Sequence, residues 1–404
     1  MASDGFPVSN STLPFWRTDL HEFDSHRTTP ELPAESNIVI IGAGFSGSSL
    51  AHHIYENNPS PPSVTILEAR EACSGATGRN GGHMKPDVYF NVPKYIKKYG
   101  VKAAVEVAAF EASQVFDIKA LVEKENIDCN FVLSRACDVV LDAGMAKESH
   151  DAFLKLRESG VADLKDVYHA YGKEAEQLSG VKGALSCFTF TAGHLWPYKL
   201  VLHLLKGAIN KGANLQTHTP RGSIKAKKVL LASNGYTAKI APQFKDHIVP
   251  VRGICSRIVP DETRKAPFLP YSYSLRHGPS IIIVGGARVK FWTDPSHWYN
   301  VTDDSKLIEA RQVWTGIMGY SSDFMPHVGE VPGKPGRMVL AGFSGHGMPL
   351  IFRSAKGVVN MLLHGTRFEE TGVPLVFQAT QERLDSSKNE ILQGGHGKVN
   401  TAKL

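Results

Sequence analysis

Apolar and polar positions along the chain follow two periods, and each change of period marks an element. Residues 38–41 are an unbroken apolar run, Ile38-Val39-Ile40-Ile41, which predicts a strand buried on both faces of a parallel sheet. A second such run, 64–68, ends in Glu68. Two later strands, 228–232 and 338–341, run into small residues. Over 92–125, Tyr95, Ile96, Tyr99, Val105, Phe110, Val115, Phe116, Ile118 and Leu121 recur at near-helical spacing. Helices are also predicted over 145–159, 172–178, 351–363 and 200–211, the last closed by Gly212. Residues 129–141 alternate as a strand, and 181–190 reads as another. The first 33 residues, rich in Pro, Ser and Thr, are expected to lie extended over the surface.

Glycines follow the first strand at once: Gly42-Ala43-Gly44-Phe45-Ser46-Gly47. A tight turn there brings main-chain N–H groups up to a pyrophosphate at a helix N-terminus. Glu68 lies about 20 residues beyond, where a carboxylate accepts from a ribose hydroxyl. The glycine pattern is weak evidence alone; with a strand before it, a helix after it and the acid at this distance, it predicts binding of an adenine dinucleotide. A second glycine-dense stretch, Gly75-Ala76-Thr77-Gly78-Arg79-Asn80-Gly81-Gly82-His83, comes seven residues after the acid. Repeated glycine lets the main chain approach a flat ring and donate N–H bonds to it.

Composition narrows the class further. The 404 residues suffice for two domains, or for one interrupted by another. The net charge of +6 comes from scattered Lys and Arg without interleaved aromatics, which argues against a nucleic-acid face. Five cysteines lack CxxC or metal spacing, and their odd number argues for free thiols in a reducing compartment and against a metal site. Residues 1–20 are polar and carry no signal-peptide core, and no run is long enough to span a membrane. The end of the chain, Ala402-Lys403-Leu404, is a close variant of a peroxisomal address and suggests an import receptor as partner; the peroxisome is the expected compartment, with the cytoplasm as the alternative.

Together these stretches resemble the FAD-dependent D-amino-acid oxidase/glycine oxidase superfamily, in the branch of fungal FAD-dependent oxidoreductases and bacterial gamma-glutamylputrescine oxidase. Further matching motifs are Leu13-Pro14-Phe15-Trp16, Pro250-Val251-Arg252-Gly253 and residues 314–329. The resemblance implies an α/β fold: a Rossmann-like FAD domain from 34–92, 190–248 and 323–377, an inserted mixed-sheet substrate domain from 93–189 and 249–322, and a tail from 378–404. It implies non-covalent FAD, because Met318 stands where some relatives carry a tethering Cys two residues before Tyr320. FAD would contact the turn 42–47, Glu68-Ala69-Arg70, the loop 75–83, Ala232, Asn234 and Gly235, and the late segment Gly342, Gly345, His346, Gly347 and Met348. The helix after Met348 would direct its positive end at the flavin.

The implied activity is oxidation of the C–N bond of an amine or amino acid, with oxygen as acceptor and peroxide as product. A flavin dehydrogenase and a catalytically impaired isoform are the alternatives. His346, His83 and Tyr320 are the catalytic candidates. For His83, a flavin-facing position and a structural bond both fit. Arg79 and Asn80 bond cofactor oxygens or cap their loop; Arg252 lines the substrate side or forms a surface ion pair; Trp314 and Tyr320 form a pocket wall or core. Trp292, Trp298 and Tyr299 belong to the substrate domain without an assigned role. Against the superfamily pattern three connections are short: a β-meander is reduced to Pro220 and Arg221, a strand and turn are missing between 279 and 281, and a helix between 308 and 312. Such losses would expose sheet edges.

Overall fold

The computed structural model describes residues 6–8, 11–219, 222–260, 275–276, 282–285 and 308–393. Its strands and helices follow in the order β1 (Glu35–Ile41), α1 (Phe45–Tyr55), β2 (Val64–Leu67), β3 (His83–Met84), α2 (Val92–Tyr99), α3 (Val101–Glu125), β4 (Val132–Val140), α4 (Ala143–Ser159), β5 (Tyr168–Tyr171), α5 (Lys173–Ser179), β6 (Ser186–His194), α6 (Pro197–Asn210), β7 (Asn214–Gln216), β8 (Lys225–Leu231), α7 (Thr237–Ile240), β9 (Ile248–Pro260), β10 (Leu275–Arg276), β11 (Ile282–Gly285), β12 (Ile308–Ser321), β13 (His327–Glu330), β14 (Arg337–Ala341), α8 (Ile351–His364) and α9 (Gln381–Asp385).

The apolar runs form the centre of a six-stranded sheet ordered β13-β14-β8-β1-β2-β7, parallel except for β13. Buried on both faces, these strands need apolar residues on both sides. Leu50 and Ile54 of α1, Val201 and Leu205 of α6 and Ala355 and Val358 of α8 share one core with Ile38, Ile40 and Ile66. Leu231, Val339, Ala341, Phe244 and Ile248 form a second cluster. Two antiparallel sheets complete the chain: β3-β6-β4 with β5 also on β6, and β10-β11-β9-β12.

Two features differ from the sequence reading. The helical pattern over 92–125 is two helices, broken at Gly100, whose φ of 85° ends one and starts the other. The N-terminal region does not simply lie on the surface. Phe15, Trp16, Arg17 and Asp24 are buried, and Arg17 and Asp24 pair at 2.8 Å. Residues 26–29 cover the edge of β7: Arg27 bridges Gln216, and the Thr28 N–H donates to Leu215 O at 2.9 Å. The short connection between 308 and 312, where the superfamily pattern carries a helix, is continuous β12, which pairs with β9 through an irregularity between Ala310 and Gln312.

The connection containing Pro220 and Arg221 is flanked by an apolar groove of about 380 Å³, lined by Leu32, Val39, Ile41, Leu67, Ile224 and Val229 among others. No helix of the described residues is long and apolar enough to cross a membrane. The expectations for residue 280, for Trp292, Trp298 and Tyr299 and for Ala402-Lys403-Leu404 lie outside the described residues.

Candidate functional site

A cleft of about 1060 Å³ runs from the carboxyl ends of β1 and β2, past the glycine loop, to the sheet of β4 and β6. Its first part is the turn between β1 and α1. Gly42 has φ +113°, and a Cβ there would lie 2.6 Å from Ala232 O, so no other residue fits without strain. A Cβ on Gly47 would lie 1.8 Å from Gly42 O, so this glycine serves close helix–strand packing and does not line the cleft. The first N–H groups of α1 have no intrahelical acceptor. Phe45 N–H uses the Thr77 hydroxyl at 3.1 Å. Glu68 accepts from Ala43 N–H at 2.9 Å and Arg70 N–H at 3.2 Å, yet burial outweighs these donors and raises its carboxyl pKa.

The second part is the loop 75–83. Two buried indoles grip its carbonyls: Trp314 Nε1 donates to Arg79 O at 2.9 Å and Trp16 Nε1 to Asn80 O at 2.6 Å. The Arg79 guanidinium donates to Ser74 O at 2.7 Å, Thr315 O at 2.8 Å and Ser11 Oγ at 2.7 Å, with no carboxylate partner among the described residues. Burial lowers its pKa to about 10. Arg79 therefore pins the loop to β12, and Asn80 Oδ1 caps it by accepting from Gly82 N–H at 2.8 Å. Both residues also line the cleft.

The third part is the pair of strand ends opposite. Asn234, at φ 44°, accepts from Gly342 N–H at 3.0 Å and so ties β8 to β14, while Ala232, Asn234 and Gly235 line the cleft. Gly345, His346, Gly347 and Met348 follow and lead into α8. Gln114, fully buried on α3, accepts from Arg353 N–H at 3.0 Å and donates to Met348 O, fixing the start of this helix.

His346 meets a partner that sequence reasoning missed. Its Nε2 lies 2.6 Å from Glu111 Oε2, and Glu111, 2% exposed, also accepts from Asp87 N–H at 2.6 Å. Burial works against the imidazolium, but the Glu111 carboxylate more than compensates and raises the His346 pKa. Burial raises that of Glu111 as well. The His346 side chain keeps 39% of its surface accessible. Beyond it, Tyr89 stacks on Phe188 at 4.3 Å and donates to Asp138 at 2.9 Å, and Lys85 pairs with the same carboxylate. The signal for Glu111 was present: Val107, Phe110, Glu111, Gln114 and Ile118 share the buried stripe of α3. A carboxylate on an apolar stripe needs a partner.

His83 also lines the cleft, and burial, with His194 and Lys85, pushes its pKa down to about 4, so the imidazole is neutral. Ala69, Arg70, Gly75, Ala76, Gly81 and Arg252 line the cleft as well. Met318, at the tethering position, has a thioether there; Cys255 on adjacent β9 also faces the cleft, its thiol pushed up to about 11 by burial. Ala43, Gly78, Gly82 and Gly342 support the turns and do not line the cleft. Tyr320, expected among the catalytic candidates, is 2% exposed, packs against Phe324 and bridges Phe343, and it too lies off the cleft. Trp314, fully buried, is core.

A phosphate cradle and a proton-holding imidazole–carboxylate pair facing one cleft define an oxidoreductase that works through a bound dinucleotide. Comparison with known proteins names the kind: residues 37–361 match the FAD dependent oxidoreductase (DAO) family, and the chain belongs to it. It is 23% identical over 378 residues to the probable oxidoreductase OrdL of Rhizobium meliloti (strain 1021), covering 80% of this chain and 84% of that one. To the gamma-glutamylputrescine oxidoreductase of Escherichia coli (strain K12) it is 21% identical over 375 residues, covering 81% and 83%. The fold is similar to that of glycine oxidase from Geobacillus kaustophilus, with a TM-score of 0.65, 18% identity and coverage of 86% of this chain and 99% of that chain. The protein is an FAD-dependent enzyme, and its residues fit the cofactor: the Gly42 cradle has no room for a Cβ, and the first turn of α1 opens onto the cleft.

Proposed function

We propose that this protein oxidises the C–N bond of a small amine or amino acid, passing the electrons to oxygen with release of hydrogen peroxide. The observation that carries this reading is one cleft connecting the dinucleotide turn at Gly42 to the His346–Glu111 pair beneath Tyr89, Phe188 and Phe190. FAD, held non-covalently, supplies the two-electron acceptor. The first turn of α1 and Glu68 would hold its phosphate and ribose end. The aromatic side chains of Tyr89, Phe188 and Phe190 exclude water from the carbon being oxidised.

His346 has a defined task in this reading. An ammonium substrate must lose a proton before its nitrogen lone pair can assist oxidation at the neighbouring carbon. His346, made more basic by Glu111, takes that proton when it is itself neutral, a general-base contribution of about 10²–10⁴-fold. Below its raised pKa the imidazolium repels the ammonium. The amine class is supported by the names of relatives, which include a gamma-glutamylputrescine oxidoreductase and a glycine oxidase.

The test is a peroxide assay of the purified, FAD-loaded chain on polyamines, N-methyl amino acids and D- and L-amino acids. Peroxide with one of these classes and not with hydroxy acids supports the reading. Turnover that needs an artificial acceptor and consumes no oxygen would replace the oxidase with a dehydrogenase.

A further inference from the structure

A second cluster of ligand-forming side chains lies at the far end of α1, on the opposite end of the helix from the cleft. His53 Nδ1 is 3.3 Å and His52 Nε2 is 3.6 Å from the same Glu56 oxygen, and the three donor atoms all lie within 4.8 Å of one another. The side chains of His52 and His53 are only 10% and 4% exposed.

The neighbours of His53 set its tautomer. Its Nε2 lies 3.1 Å from the carbonyl oxygen of Phe352 in α8, and a carbonyl only accepts, so Nε2 carries the hydrogen. In a neutral imidazole Nδ1 is then a lone pair, and it faces a carboxylate oxygen. His52 Nε2, almost fully buried, has no hydrogen-bond partner among the described residues. A cation among the three atoms removes both conflicts.

The spacing agrees. A tetrahedral site with bonds of about 2.0–2.1 Å has donor–donor edges of about 3.3–3.4 Å, close to the two N···O distances here. An outer N–H of a ligating histidine bonded to a main-chain carbonyl is the usual means of fixing its tautomer, and Phe352 provides it. Around the cluster, Lys124 holds the other Glu56 oxygen at 3.3 Å, and Glu125 holds His203 at 2.8 Å.

We propose that His52, His53 and Glu56 form a binding site for a divalent transition-metal ion of the Zn²⁺ type, with water completing its coordination. Two nitrogens and one carboxylate oxygen are the donor set such ions take. The ion would join the end of α1 to the start of α8 through the Phe352 carbonyl, bracing two helices whose other contacts border the cleft.

The experiment uses the full FAD-loaded chain, treated with chelator and then titrated with Zn²⁺ alone by calorimetry, with metal analysis after dialysis. One equivalent is expected to bind. His52→Ala and Glu56→Gln, both at the partly accessible end of α1, are each expected to weaken it by about 10–100-fold or more, with the flavin spectrum unchanged. Co²⁺ should give the ligand-field bands of a four-coordinate site in the wild type and lose them in His52→Ala. Should either variant misfold, chelator addition to the wild type reads the same site through a lowered melting temperature. Equal Zn²⁺ uptake by wild type and variants, or none by the wild type, would overturn the proposal.

Discussion

The Glu111→Gln substitution isolates the electrostatic half of the His346 pair. The amide keeps the shape of the side chain and an acceptor for the Asp87 N–H, but removes a negative charge 2.6 Å from His346 Nε2. Two unit charges about 4 Å apart interact by roughly 1 kcal/mol in water and roughly 4 kcal/mol at an effective dielectric of 20. Because 39% of the His346 side chain is accessible, solvent screening favours the lower part of this range, about 1–2 kcal/mol. The sign follows from the direction of the shift. Glu111 raises the His346 pKa, and the proposed mechanism needs the neutral imidazole, so kcat/KM should rise with pH through that raised value. Without the Glu111 carboxylate, burial and the Lys85 charge lower the pKa, opposed only by the smaller effect of Asp87. The acidic limb of the kcat/KM profile should therefore move to lower pH in Glu111→Gln, while bound flavin is retained. An unmoved limb at intact flavin content would refute the assignment of the proton to His346.

Further substitutions test the scaffold. Gly42→Ala places a Cβ 2.6 Å from Ala232 O at a φ of +113°, so the purified protein should lose its bound flavin, read from the visible spectrum. Arg79→Lys keeps the charge but cannot reach Ser74 O, Thr315 O and Ser11 Oγ together; denaturant unfolding should show a loss of about 2–3 kcal/mol. Tyr320→Phe, off the cleft, should leave kcat and KM for the amine within about twofold of wild type, since no reacting atom loses a partner. A larger kinetic effect would return Tyr320 to the site.

What could be read from sequence was what backbone geometry demands locally. Gly42 and Gly47 are fixed by a turn and a close helix contact, and Glu68 by its place at the end of β2, so spacing alone located them. Residues that act through distant neighbours were harder. Glu111 and Asp87 meet His346 only because α3 crosses beneath the late glycine segment, more than two hundred residues further along the chain. Arg79 has a phosphate-binding residue type in a phosphate-binding loop, yet its donors are spent on Ser74, Thr315 and Ser11. Trp16 sits in a stretch of surface-like composition, but its indole is needed to hold Asn80 O. Tyr320 was drawn toward the site by the resemblance, two residues after the tethering position at Met318, yet it is buried against Phe324, pairs with Phe343 and lies off the cleft.

The most direct test of the central claim is oxygen uptake measured with peroxide formation on the FAD-loaded chain supplied with its best amine. The account expects oxygen consumption and peroxide formation in equal amounts, dependent on bound flavin and on the amine. A well-folded, flavin-loaded protein that consumes no oxygen with any amine or amino acid would contradict it.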